Sequence, residues 1–133
     1  MKKILFLIPI LLLCSLAQAQ VAMTNPNGLA LDTVANTTPE ACTVQLKGFQ
    51  ETASFTLLVT KISGTVGGTA VLQGSNQVSK GYATIDTTQA LADATQTLRF
   101  WDVPKKFLYY RILITGTGTM SASYSAAAYV TKE

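Results

Sequence analysis

The sequence predicts an all-β protein, an antiparallel β-sandwich of seven or eight short strands with a jelly roll as one candidate winding. Three observations predict it. After residue 20 the chain is rich in Thr, Val, Ala and Gly and poor in charge, the composition of a pleated, half-buried surface. Its apolar residues recur at every second position or in short runs, with no sustained helical period. Turn signals built on Gly, Pro and Asn interrupt it every eight to twelve residues or so, the spacing of sandwich strands.

The elements follow in order. Residues 20–40 open on Asn25-Pro26-Asn27-Gly28 and close on Asn36-Thr37-Thr38-Pro39, with Leu29 to Val34 as the one strand-like stretch between them. We read this region as an extended arm or an edge strand ahead of a sandwich domain over 41–133. Ala41 to Lys47 alternates Cys42, Val44 and Leu46 against Thr43, Gln45 and Lys47, the pattern of a half-buried strand. Gly48-Phe49-Gln50-Glu51 turns the chain. Ala53 to Ile62 carries Phe55, Leu57 and Val59 on one face and Leu58 and Ile62 on the other, so both faces are expected to be covered. Ser63 to Gly68 then reverses the chain, and Thr69 to Leu72 is expected to pair back as a hairpin.

Gly74 to Gly81 reads as a loop and Tyr82 to Asp86 as a short strand. Thr87 to Ala94 is the one stretch suited to a helical turn, anchored by Leu91. Thr95 to Val103 opposes Leu98 and Phe100 to Thr97, Arg99 and Trp101, and Pro104-Lys105-Lys106 breaks it. Phe107 to Ile114 reads as a central strand with Phe100, Leu108, Tyr110 and Ile112 in the core. Gly116-Thr117-Gly118 turns into a last strand, where Met120, Ala122, Tyr124 and Ala126 alternate with Ser121, Ser123 and Ser125. Phe55 to Ala70 and Phe107 to Ala122 echo one another as an aromatic-led strand, a Gly/Thr turn and a strand of small residues, which suggests two corresponding hairpins.

The chain begins Met1-Lys2-Lys3, continues apolar from Ile4 to Cys14, and reaches Ala17 and Ala19, the small residues that a signal peptidase reads. Ile4 to Leu16, at about 1.5 Å per helical residue, extends about 20 Å, short of a hydrocarbon core of about 30 Å. Residues 1–19 are therefore expected to form a signal peptide cleaved after Ala19, with an uncleaved tether as the alternative. Leu13 stands where lipoprotein leaders place a small residue, which argues against lipidation at Cys14. The expected location is outside the cytoplasm: periplasm, cell surface, medium or a virion.

Cleavage would leave 114 of the 133 residues, enough for one core. It would also remove Lys2 and Lys3, lowering the formal charge from +3 to +1, so the basic pI makes no case for nucleic acid. Cys42 would be left without a partner for an intramolecular disulfide, and its place in the alternation makes it a buried structural thiol. The sequence holds no histidine, which removes the commonest general base and transition-metal ligand together. No cofactor or metal is expected.

The carboxylates Asp32, Glu40, Glu51, Asp86, Asp93 and Asp102 stand mostly beside turns or strand ends. Asp86 with Asp93 could serve on paper as a glycosidase acid and nucleophile, but nothing in the spacing singles the pair out. Gly64 to Gly68 lacks the Gly-Lys-Ser/Thr ending and the following helix of a phosphate loop. Asn36-Thr37-Thr38 formally matches a glycosylation acceptor. The densest feature is Trp101, Phe107, Tyr109, Tyr110 and Arg111, with Lys105 and Lys106 between. Either these residues are core and turn, or Trp101, Tyr109 and Arg111 form a ligand surface on which sugars stack.

Val59 to Ser75, Thr95-Gln96-Thr97, Tyr109-Tyr110-Arg111-Ile112 and Thr115 to Ala122 resemble segments of small virion-associated proteins of bacteriophages infecting Bacteroidota-like hosts, over residues 42–128. The resemblance implies a β-sandwich that assembles into or decorates a particle without chemistry of its own. Asn76 to Gly81 replaces the family's short Asp/Asn-Gly loop, and a leader is unusual for a subunit assembled in the cytoplasm.

The expected function is thus an exported, non-enzymatic structural or assembly subunit. It would associate with itself or with other structural proteins, and Leu29, Leu31 and Val34 would serve as an arm for strand addition to a neighbour. The alternative is a secreted glycan-binding module that uses surface aromatics.

Overall fold

A computed structural model describes residues 19–25, 27–35, 37–47 and 52–131, apart from the Asp102 side chain. The leader with Cys14 and Ala17, the acceptor Asn36 and the turn Gly48 to Glu51 lie outside the described residues. The described strands are β1 (Ala19–Met23), β2 (Leu31–Ala35), β3 (Glu40–Gln45), β4 (Thr52–Ser63), β5 (Gly68–Ser75), β6 (Ala83–Thr84), β7 (Gln89–Ala90), β8 (Gln96–Pro104), β9 (Tyr109–Gly116) and β10 (Ser121–Thr131). No helix occurs among the described residues.

The first sheet runs β1-β10-β4-β8, with β2 also on β10. β1 and β2 lie end to end along one edge of β10, opposite Ala126–Val130 and Ser121–Ser125 respectively. The second sheet runs β3-β9-β5-β6, with β7 also on β5. Every pairing is antiparallel. From β2 onward the long strands step from one sheet to the other at each connection, which is the winding of a jelly roll.

Alternation decides what each strand buries. Ala53, Phe55, Leu57 and Val59 of β4 face Cys42 and Val44 of β3, Ala70 and Leu72 of β5, and Tyr110, Ile112 and Ile114 of β9 across the sandwich, all buried. The small inward residues Ala122, Ala126 and Ala128 of β10 sit beside the large Tyr124, so the layer interdigitates. Each fully buried Leu, Ile or Phe contributes about 1.5–3 kcal/mol.

Tyr110 joins the two sheets. Its ring centroid lies 5.1 Å from that of Phe55 and 6.2 Å from that of Phe107, the latter edge-on. Its hydroxyl accepts the backbone N–H groups of Lys106 at 3.0 Å and Phe107 at 3.2 Å, which holds the connection from β8 to β9. Gly74 pairs with Tyr110 across β5 and β9, and a Cβ built there would stand 2.2 Å from the Phe107 ring. Glycine therefore makes the space that lets Phe107 cover the end of the core.

Several expectations need correction. The stretches 55–70 and 107–122 are not hairpins, because β4 and β5 lie in different sheets, as do β9 and β10. Each Gly/Thr turn instead arches over the edge of the sandwich, and the two arches meet where Thr117 N–H donates to the Gly67 carbonyl at 3.1 Å. Gly68 has φ of 122° and approaches Thr115 so closely that a Cβ would lie 2.0 Å from its carbonyl oxygen. Leu58 and Ile62 are exposed, since among the described residues no element covers the outer face of the first sheet. Leu108 sits at the rim while Phe107 packs on the core, the chain reversing its sidedness before β9 begins. Thr87 to Ala94 contains β7 in place of a helical turn, although Leu91 is buried as expected. The region 20–40 holds two strands, and Met23 of the unforeseen β1 is fully buried.

Two measurements check this packing. Gly74→Ala should lower unfolding stability by about 1–3 kcal/mol in denaturant titration, because the added methyl meets the Phe107 ring. Burial first, and the nearby Asp32 and Glu40 charges second, push the Cys42 thiol up to about 12. A thiol reagent at pH 8 should therefore leave the native protein unmodified and react once it is unfolded. The unfolded thiol ionises from pH about 8.5, so wild-type stability should fall between there and the folded value, a loss absent from Cys42→Ala.

Candidate binding site

Because Tyr110 and Ile112 face the core, alternation turns Tyr109 and Arg111 outward from β9. Strand register then builds two rows across the second sheet. One row is Gln45, Tyr109 and Ser75, and the next is Thr43, Arg111 and Gln73. Gln45 Nε2 donates to the Tyr109 hydroxyl at 3.2 Å, and Arg111 Nε donates to Gln73 Oε1 at 2.7 Å.

The loop over residues 76–82 supplies one wall. Ser75 Oγ, itself buried, donates to the Lys80 carbonyl at 2.6 Å and accepts Gln77 N–H at 3.0 Å. Asn76 Oδ1 accepts Leu108 N–H at 3.1 Å and ties the loop to the start of β9. Tyr82 leans back over the sheet, its hydroxyl donating to the Val78 carbonyl at 3.1 Å. The Arg111 guanidinium carbon lies 4.0 Å from the Tyr82 ring centroid, a cation–π contact that fixes both side chains. Burial lifts the Tyr82 phenol above its ordinary pKa against the opposing pull of Arg111, so it stays a neutral hydrogen-bonding group.

Between this wall and the end of β1 lies a cleft of about 520 Å³, lined by Thr24, Thr43, Gln45, Tyr82, Tyr109 and Arg111 among others. That volume lies within the range of about 300–1,000 Å³ usual for small-ligand sites. The Thr24 and Thr43 backbones exchange hydrogen bonds of 3.0 and 2.7 Å, closing the sandwich at this end. The lining offers phenol rings, planar amide and guanidinium edges and hydroxyls, with no carboxylate, thiol or imidazole among them.

The structure brings Tyr109 and Arg111 together and separates Trp101 from them. Trp101 is 60% exposed on the outer face of the first sheet, because β8 and β9 belong to opposite layers. The expected single surface is therefore two. Of the arm residues, Leu29 and Leu31 are exposed, whereas Val34 is fully buried in the core of its own chain. Ala19 pairs with Val130 as the first residue of β1. Asp86 Oδ1 accepts the adjacent Thr87 N–H at 2.6 Å. Asp93 accepts Lys61 Nζ at 2.8 Å and Val66 N–H at 2.6 Å, and these two bonds hold its carboxyl below the usual range. Such a carboxylate clamps the arch after β4 and is poorly suited to be a catalytic acid. Among the described residues no group of three or more Cys, Asp or Glu side chains stands close enough to hold a metal ion.

Tyr82, Gln45 and Gln73 were not foreseen. The two glutamines occupy readable outward positions, but which strands would lie side by side, and where the loop would place Tyr82, was not readable locally.

No protein-family model matches the chain, and no curated protein matches it. Solved structures do. The CBM36-1 domain of a multidomain xylanase from the hindgut metagenome of Trinervitermes trinervoides is 13% identical with a TM-score of 0.53, over 84% of this chain and 95% of that one. A CBM4 structure is 12% identical with a TM-score of 0.50, over 86% and 79%. The enzymatically active domain of tailspike protein 4 of bacteriophage CBA120 is 8% identical with a TM-score of 0.52, over 90% of this chain, which spans only 20% of the tailspike chain. At these identities the likeness is one of fold: the chain shares their β-sandwich.

Proposed function

We propose that this protein is a non-catalytic glycan-binding module whose ligand lies across the outer face of the second sheet. The observation that carries the reading is the cleft of about 520 Å³ in which Tyr82 and Tyr109 present ring surface beside Gln45, Thr43 and Arg111. A sugar ring has an apolar C–H face, which stacks on aromatic rings, and a rim of hydroxyls, which pair with amide, guanidinium and hydroxyl groups. Arg111 is already engaged by Tyr82 and Gln73, so the platform is organised before any ligand arrives, and little ordering cost remains on binding. The carbohydrate-binding modules among the structures of similar fold suggest the same ligand class by analogy. Export by the expected leader would place the module where glycans are met.

Self-association is a second reading, favoured by Leu31, 63% exposed on the edge strand β2. It would suit the assembly role implied by the resemblance to virion proteins.

An oligosaccharide array followed by calorimetry on the tightest binder tests the first reading. Tyr109→Ala and Arg111→Ala should each weaken binding by about 1–2 kcal/mol, on the order of tenfold, with the melting temperature little changed. Absence of any bound glycan, or variants that bind as wild type, would overturn it. Sedimentation of the unliganded chain addresses the second reading: a monomer is expected for a binding module, whereas an oligomer that Leu31→Asp dissolves would favour assembly.

A further inference from the structure

We infer that the outer face of the first sheet carries a second, separate site, built around Trp101, that takes an acidic sugar ring such as a uronate. This face looks away from the cleft, and the inference does not depend on what the cleft binds.

The site follows from register. Ser54 lies opposite Tyr129 across β4 and β10, one row aligns Arg99, Thr56 and Ala127 across β8, β4 and β10, and Trp101, in the stretch of β8 where the register shifts, lines the same trough as Ser54. The two aromatic side chains thus stand on strands that flank β4, two strand spacings apart, or about 9.5 Å between backbones. The floor between them is Ser54 and Thr56, both small. The result is a trough of about 270 Å³ lined by Ser54, Thr56, Arg99, Trp101, Tyr129 and Thr131. With carbon contacts of about 3.5–4 Å needed on each side, such a space has the width of a single ring.

Trp101 is aimed by a local irregularity. From Phe55 to Ala53 the partner strand advances from Phe100 to Val103, so β8 holds one residue more than β4 at this point. A bulge of this kind re-aims a side chain, and here it falls at Trp101. An indole 60% exposed beside the small Ser54 and Thr56 is a natural stacking surface.

Charge sets the ligand class. The Arg99 guanidinium carbon lies 5.2 Å from the Trp101 ring centroid, and Gln89 Nε2 donates to the Arg99 carbonyl at 2.7 Å, holding the strand edge. Arg99 is exposed, and its guanidinium stands in the lining of the trough beside the indole. A guanidinium held at the end of a one-ring trough is a bidentate donor for a carboxylate. The hydroxyls of Thr56, Thr131 and Tyr129 match the rim of a pyranose better than the edge of a planar base. Two sites on opposite faces would let one chain bridge two glycan strands.

Trp101 is the only tryptophan in the chain, so its fluorescence reports on this trough and not on the cleft. Titrating the full chain with trigalacturonic acid should change the emission saturably. Arg99→Ala and Tyr129→Ala should each weaken that response at least tenfold, Tyr109→Ala should leave it unchanged, and xylotriose should bind at least tenfold more weakly. The substituted side chains are not buried, and melting curves will verify that each variant folds. Absence of a saturable change, an equal response to xylotriose, insensitivity to Arg99→Ala, or loss of the response in Tyr109→Ala would each overturn the proposal. Failure of the cleft reading is seen separately, by calorimetry on Tyr109→Ala.

Discussion

The side chain of Tyr110 is the contact on which the rest of the structure depends. Its ring packs on Phe55 of the opposite sheet, its edge meets Phe107, and its hydroxyl takes two backbone N–H groups from the chain that leads into β9. A phenol can do this because it combines a large apolar area with one polar end, so it spans the core and satisfies the rim at once. Gly74, directly opposite, completes the arrangement by leaving room for Phe107. Once Tyr110 is pinned inward, pleating sends Tyr109 and Arg111 to the solvent side without further choice.

The two outer faces are products of the same alternation but differ in chemistry. The second sheet is overlain by the loop over residues 76–82, whose internal hydrogen bonds to Ser75 and Val78 make it a wall, and it gathers long planar side chains. At its trough the first sheet carries Ser54 and Thr56 of β4, a low floor beside which Arg99, Trp101 and Tyr129 stand out. The Asp93 carboxylate ties Lys61 to the Val66 backbone, which steadies the arch joining the sheets.

Stability rests on the interdigitated core together with closure of the edges. Within one chain Cys42 has no disulfide partner among the described residues and is buried. The edge of β10 is covered by β1 and β2 in succession, and the Thr24 and Thr43 backbones bind the two sheets where β1 ends. The N-terminal segment is therefore part of the sandwich in the single chain, with Met23 and Val34 in the core, while Leu29 and Leu31 remain outside.

By itself the sequence determined the fold class, the facing of most strands and much of the core. Period-two runs such as Cys42-Val44-Leu46 and Met120-Ala122-Tyr124-Ala126 state which side is apolar, and water enforces that statement wherever the strand goes. For Trp101, Tyr109 and Arg111 it left two readings open, core and turn or a ligand surface. Only the tertiary structure decided which strands are neighbours. Local patterning cannot distinguish a Gly/Thr turn that makes a hairpin from one that arches to the opposite sheet, because both need the same flexible backbone. That single undetermined choice separated Trp101 from Tyr109, left Leu58 in solvent, and brought Tyr82, Gln45 and Gln73 around Arg111. Those contacts join residues up to 64 positions apart, as Gln45 with Tyr109, and depend on register between strands distant in the chain.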